Sequence, residues 1–272
     1  MSTFNTYKGW GSILSPYLKF LTLSFKEKYV YRFNFATSII AGLIIVYIQI
    51  SVWSALFGDN QSGIRQLIIY VLISSFIFNL TKSEASNKIG EKIEKGTIVT
   101  DLTKPINFRN YLFAEDIGSN IFQVLFISLP AFLFFGFQYD LSIQLLSPNL
   151  ALFLLSLFFA ILIAFLLKFI IGLFTFWLES SWYIPFIVGA IFELFSGSTI
   201  PLWFYPDWLL NICYYLPFRL IFFEPISIFL GKYSLVHTSY LLLLQLFWIL
   251  VLLVIERSIW KRVQRKVIVH GG

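Results

Sequence analysis

"KIGEKIEKGTIVTDLTKPINF" occupies residues 88–108 and decides how the rest of the chain is read. It holds Lys88, Lys92, Lys95 and Lys104 together with Glu91, Glu94 and Asp101, while Leu, Ile, Phe and Val dominate the chain on either side. A single charged side chain at the centre of a bilayer costs at least about 2.5 kcal/mol, so this stretch lies outside hydrocarbon. The flanking runs are long enough to cross it. The stretch is a charged loop between two spans, and the side of the membrane it faces sets the topology.

Of the 272 residues, 58% are hydrophobic and only 12% charged, with a mean hydropathy of +0.80. Soluble domains carry about 25% charge. Several windows approach the ~20 apolar residues that a helix needs to cross a bilayer core. The apolar blocks are continuous, which favours helices over the short alternating strands of a barrel. The sequence predicts an all-α polytopic membrane protein, a single transmembrane domain over 1–272, with six transmembrane helices. They are placed at 34–56, 64–80, 117–137, 150–178, 182–195 (extending toward Pro201) and 234–255.

Working outward, the basic residues fall into three groups. Lys8, Lys19, Lys26, Lys28 and Arg32 precede the first span. Lys82, Lys88, Lys92, Lys95, Lys104 and Arg109 follow the second. Arg257, Lys261, Arg262, Arg265 and Lys266 follow the last. With six spans all three groups lie on one side, which the positive-inside rule makes cytoplasmic. The other side receives Arg65, Arg219 and Lys232. The net charge of +6 is therefore a topology signal that suits anionic headgroups, and no nucleic-acid partner is expected.

Residues 13–33 alternate apolar and basic side chains near helical spacing, with aromatic residues close by. They predict an amphipathic helix lying in the membrane interface. No cleavable signal peptide is expected, because Lys19, Lys26 and Lys28 interrupt the first apolar run. Cys213 is the single cysteine, so no internal disulfide or thiol cluster forms.

Motifs for chemistry are missing. His237 and His270 are the only histidines, and no HExxH or Cys/His cluster offers a metal site. No GxSxG occurs. Gly58 and Gly63 have the glycine spacing of a phosphate-binding loop, but Ile64 and Arg65 follow where Lys and Ser/Thr are required. No catalytic residue, cofactor or metal is expected in this chain.

Polar residues inside the spans are the remaining candidates. Lys168 and Glu179 share a face of the fourth span, three turns apart, with Glu179 at its cytoplasmic end. Lys168 reads as a snorkelling or partner-paired lysine. Glu193, within "VGAIFELFSGSTIP", reads as facing a cavity or a neighbouring subunit. The stretch 196–231 is hydrophobic but holds Pro201, Pro206, Pro217 and Pro225 with Asp207, Arg219 and Glu224. It predicts short re-entrant helices at the outer side. Its aromatic density suits the interface.

Within the opening loop, 83–95 carries charges at i,i+3 and i,i+4: Glu84 with Lys88, Lys88 with Glu91, and Glu91 with Lys95. They predict a short helix outside lipid, ended by Gly96. An extended segment follows over 97–102, and Lys104-Pro105 starts the return to the third span.

The ordered set "GEKIEKGTIVTDLTKPINF", "FWLESSW", "SGSTIPLWFYPDWL", "LPFRLIFFEP" and the terminal "GG" resembles the permease of a type-2 ABC exporter, in a branch whose substrates are uncharacterised. The resemblance covers nearly the whole chain. It implies that the loop at about 82–112 carries a coupling helix for an ABC ATPase, with Glu84, Lys88, Glu91, Glu94 and Lys95 as its contacts. It implies that the outer helices at about 196–231 form a gate with Pro201, Pro217 and Glu224. ATP and Mg would be bound by the separate ATPase. A second permease, identical or paralogous, would complete the transporter; the branch resembled favours a paralogue. Cargo would meet the second and fifth spans, in an apolar and aromatic cleft suited to a drug, peptide, lipid or glycolipid. The chain would sit in the plasma or inner membrane with both termini cytoplasmic. Two rivals stand beside this one. A membrane-embedded enzyme acting on lipid-linked substrates would use Glu193, Asp207 and Glu224, but the sequence gives no catalytic pair by spacing. A passive channel or scaffold needs no ATPase.

Overall fold

The computed structural model describes residues 10–30, 32–57, 61–102, 104–139, 149–178 and 183–271, and every regular element among them is helical. Helices satisfy their own backbone groups, which hydrocarbon requires. In chain order they are α1 (Trp10–Val30), α2 (Arg32–Phe57), α3 (Gln61–Thr81), α4 (Ala85–Glu94), α5 (Ile98–Leu102), α6 (Phe108–Gln123), α7 (Leu129–Gln138), α8 (Leu150–Phe174), α9 (Ile184–Ser196), α10 (Asp207–Tyr215), α11 (Phe223–Phe229) and α12 (Leu235–Gly271). α6 and α7 form one rod through a π-helical turn at Val124–Ser128. Pro130 explains that turn: it has no N–H to donate, and its ring crowds the carbonyl four residues back.

Five helical stretches are long and apolar enough to span a membrane: α2, α3 continuing into α4, α6 with α7, α8, and α12. α9 has 13 residues and is therefore only about 20 Å long. α10 and the Pro217–Phe229 stretch meet at 75°, as a broken span or a re-entrant loop does. The return path is set by α8 and α12. Gln245 bonds to the Ser156 carbonyl at 3.1 Å, and fifteen residues further on Trp260 packs near Phe169. The two helices thus run in the same direction, so the chain recrosses the bundle between them. α9 makes the first part of that passage.

Three expectations change. Helix α6 begins at Phe108, well before the span placed at 117–137. Helix α12 continues to Gly271, far beyond 255. Residues 98–102, predicted to be extended, form α5. There Ile98 is buried in an apolar cluster with α4, α6 and α8, and Asp101 is held by two lysines. These tertiary contacts override the β-branched character of the stretch.

Apolar packing has three centres. The largest joins α3, α8, α9, α11 and α12. The second joins α2, α3 and α7. The third gathers Ile89 of α4, Ile98 of α5, Phe108 and Leu112 of α6, Phe169 of α8 and Val263 of α12, with Tyr17 and Phe20 of α1 packed on it. The described parts of α1, of the α4–α6 segment and of the far end of α12, where basic residues concentrate, therefore meet at one end of the molecule. α1 lies along α6, with Phe20 on Tyr111 and Phe25 on Phe122 at ring distances of 4.6 and 5.4 Å. Gly118 permits the approach, since a Cβ there would overlap the Leu21 carbonyl.

Candidate functional site

The corner between α3 and α4 is built by two side chains of α6. Asn120 donates to the carbonyls of Leu80 and Lys82 at 2.8 and 2.7 Å. Asp116, one turn earlier, accepts the Ser83 hydroxyl at 2.5 Å and the Glu84 amide at 3.3 Å. α6 thereby closes the end of α3 and satisfies the free amides where α4 begins. Sequence reasoning missed both residues; their signal is two polar side chains four apart, on one helical face, at the entry to an apolar span.

α4 ends as its glycine predicts. Gly96 has φ +67, its amide reaches the Ile93 carbonyl and the Thr97 amide reaches that of Lys92. This is a Schellman closure, which needs a left-handed residue at Gly96. The buried face of α4, Ala85, Ser86, Ile89 and Gly90, rests on the end of α8. The contact is close because α8 has glycine there: a Cβ on Gly172 would lie 2.9 Å from the Ser86 Cα and 2.8 Å from the Ile89 Cδ1.

Of the pairs expected along α4, only Glu91 with Lys95 forms, at 2.5 Å and largely exposed. Lys88 instead meets Glu115 of α6 at 2.7 Å. Glu84 meets Lys82 at 3.9 Å and accepts from Asn87 at 2.8 Å. The buried face turns Lys88 toward α6, where a fixed carboxylate wins over mobile neighbours on its own helix. Glu94 is on the same short helix, at its C-terminal end. Beyond α4, Asp101 takes Lys104 at 2.5 Å and is also hydrogen-bonded by Lys92. Burial would raise the Asp101 carboxyl, but its two lysine partners outweigh that and hold its pKa below the usual value. Arg109 of α6 reaches Glu256 of α12 at 3.1 Å, tying the rim together.

Directly inside this corner is a cavity of about 690 Å³, lined mainly by α2, α3 and α9. Ile45, Val46, Phe78, Ile127, Val188 and Phe222 form its apolar wall, and Lys82, Glu84, Asn87 and Lys168 mark its polar side. Both intramembrane candidates line it. Lys168 is half-buried with its ammonium 5.1 Å from the Phe192 ring. Glu193 accepts from the Thr199 hydroxyl at 2.9 Å. Glu179 lies outside the described residues.

The predicted gate residues gather elsewhere. Gly197, φ +76, ends α9 and its carbonyl accepts from Tyr70 of α3 at 2.5 Å, while that of Ser198 accepts from Ser74. Pro201 and Pro217 open short 3₁₀ turns and are buried. Glu224 is 1% exposed and paired with Arg219, the partner its burial demands. Gln245 donates to the Leu220 carbonyl at 2.9 Å, about 15 Å along α12 from its start. The segment thus dips deep between α8 and α12. Five buried polar atoms among the described residues have no protein partner: Ser156 Oγ, Arg219 Nε, Glu224 Oε2, Ser227 Oγ and Gln245 Oε1. All belong to this tip or to the helices around it.

No group of His, Cys, Asp and Glu that could hold a metal occurs among the described residues. Glu193, Asp207 and Glu224 are not brought together: Glu193 bonds to Thr199, Glu224 to Arg219, and Asp207 starts α10 in an exposed position. Compared with known proteins, residues 33–271 match the family model described as ABC-2 family transporter protein. The comparison with curated proteins gives no match.

Proposed function

The chain belongs to the ABC-2 family of transporters, and from that premise we propose that it is the membrane subunit of an ATP-driven exporter for a hydrophobic or amphipathic substrate. It is an integral membrane protein and a permease component, for which an ABC ATPase is the general partner. α4 is the coupling helix of this reading. The observation that carries it is the seating of α4 directly on α8 at Gly172, beside the cavity, with Glu91 and Lys95 left facing outward. Closure of ATP-loaded subunits against that outward face would tilt α4, load the ends of α3 and α8, and open the cavity between α2, α3 and α9. The re-entrant tip around Arg219 and Glu224 is the outer gate. α1, packed along α6, is the interfacial helix and would move with the corner. A second permease, identical or paralogous, completes the path. Export fits an entrance at the basic end, which the positive-inside rule makes cytoplasmic.

Two experiments test this. Purification of the tagged permease in mild detergent is expected to retain an ABC ATPase; its consistent absence removes the transporter reading. Cysteine labelling of intact cells on a Cys213→Ser background is expected to leave Lys92→Cys unlabelled and to label Gly63→Cys. Labelling of Lys92→Cys inverts the topology.

A further inference from the structure

We propose, resting on the assignment of the 690 Å³ cavity as the transport path, that the cavity selects an amphiphile with an anionic headgroup and that Lys168 receives that headgroup. The other charged side chains around the cavity each have a hydrogen-bond or ion-pair partner. Lys82 pairs with Glu84, whose other oxygen takes Asn87. Glu193 has Thr199. Asp116, beneath the corner, has Ser83 and the Glu84 amide. Lys168 is the exception: among the described residues it makes no hydrogen bond or ion pair, its ammonium lies 5.1 Å from the Phe192 ring, and the Asp116 and Glu84 carboxylates act on it only from beyond contact distance. A cation half-removed from water with one aromatic face as company is an incomplete site. An ammonium offers three donors to a phosphate, sulfate or carboxylate, and low-dielectric walls concentrate its field inside the cavity. The rest of the ligand follows from the apolar wall, to which Ile45, Val46, Phe78, Ile127 and Val188 contribute. A free anion would leave that wall empty, and an uncharged chain would leave Lys168 unmatched. One acidic headgroup with an alkyl chain satisfies both, and a cavity of this size takes a drug-sized molecule.

The test uses the full chain in phosphatidylcholine nanodiscs, with radiolabelled dodecyl phosphate as the probe and empty nanodiscs as the background. Dodecyl maltoside, dodecyltrimethylammonium and inorganic phosphate serve as competitors. Saturable binding is expected, displaced poorly by dodecyltrimethylammonium and by inorganic phosphate. Lys168→Gln is expected to weaken it by about tenfold or more, the scale of one charge-assisted hydrogen bond, and Lys168→Arg to keep most of it. Equal binding by wild type and Lys168→Gln overturns the proposal, as does equal competition by the cationic amphiphile. Full competition by inorganic phosphate overturns the amphiphile requirement. If Lys168→Gln fails to fold, Lys168→Arg and the competitor series decide alone. Saturable binding of every amphiphile alike refutes only the headgroup preference, whereas no saturable binding of any amphiphile refutes the cavity as the transport path.

Discussion

The 82–109 loop and the 196–231 segment look alike in sequence, each a charged, proline- or glycine-punctuated interruption of an apolar chain. Folded, they obey different physics. Around α4 the charges are distributed: Lys88 on Glu115, Lys92 and Lys104 on Asp101, Glu91 with Lys95 in the open. Losing one lysine leaves the buried Asp101 the other, and the Glu91–Lys95 pair is open to water. At the tip of the 196–231 segment a single pair, Arg219 with Glu224, has side-chain exposures of 7% and 2% and is surrounded by polar atoms lacking protein partners. Neither charge there can be abandoned cheaply. The contrast suits a docking platform that must yield at one end and a plug that must hold its shape at the other.

The largest effect is expected at the tip. Glu224→Ala strands a buried guanidinium and should destabilise the permease by about 3–5 kcal/mol, read as a fall in the thermal unfolding midpoint in detergent. Arg219→Met with Glu224→Leu should recover much of it, because an apolar pair leaves no orphaned charge. If Glu224→Ala costs no more than Lys88→Ala, the two regions do not differ in the way described.

Next comes the α4–α8 seat. Gly172→Leu forces a side chain against the Ser86 backbone and should cost about 1–3 kcal/mol. It should also reduce capture of the ATPase, since the platform is displaced while the spans stay intact. Normal capture by a folded Gly172→Leu protein would separate the seat from docking.

Asp101 sharpens the contrast through pH. Its carboxyl is held below the ordinary value, so it contributes stability above about pH 4, the range in which an unfolded aspartate is ionised, and loses it as pH falls through the folded-state value. Asp101→Asn should lower the unfolding midpoint at pH 7 by about 1 kcal/mol equivalent. The gap from wild type should narrow on acidification below pH 4; a gap that widens there contradicts the ion-pair account. Glu91→Ala, whose pair with Lys95 is exposed, should leave the midpoint unchanged.

Much of the architecture could be read from residues alone. Apolar length placed the five long spans, and Gly96 marked the end of α4 because a left-handed residue is needed there. A buried Glu224 needs either Arg219, five positions away, or a backbone amide, and Arg219 is the partner it takes. Long-range partners were out of reach. Lys88 reads as an intrahelical pair until α6 brings Glu115 beside it, and Asp116 and Asn120, at the start of the span placed at 117–137, gain a role only when the chain turns onto them. The stretch 97–102 has β-branched residues and becomes α5 only because Ile98 has a core to enter. The cavity has no linear signature, being formed where α2, α3 and α9 fail to fill the space between them. The short α9 shows the limit of counting spans by length: the parallel course of α8 and α12 reveals the sixth passage.

The most direct test of α4 as the docking element is the amount of ABC ATPase retained by the purified permease when its outward charges are reversed. Lys88 is unsuitable as a control because it is committed to Glu115, so Lys95→Glu serves. Glu91→Lys with Glu94→Lys is expected to cut ATPase retention several-fold while the unfolding midpoint and membrane insertion stay those of wild type. Full retention of the ATPase by that folded double variant would show that the outward face of α4 is only a solvated surface.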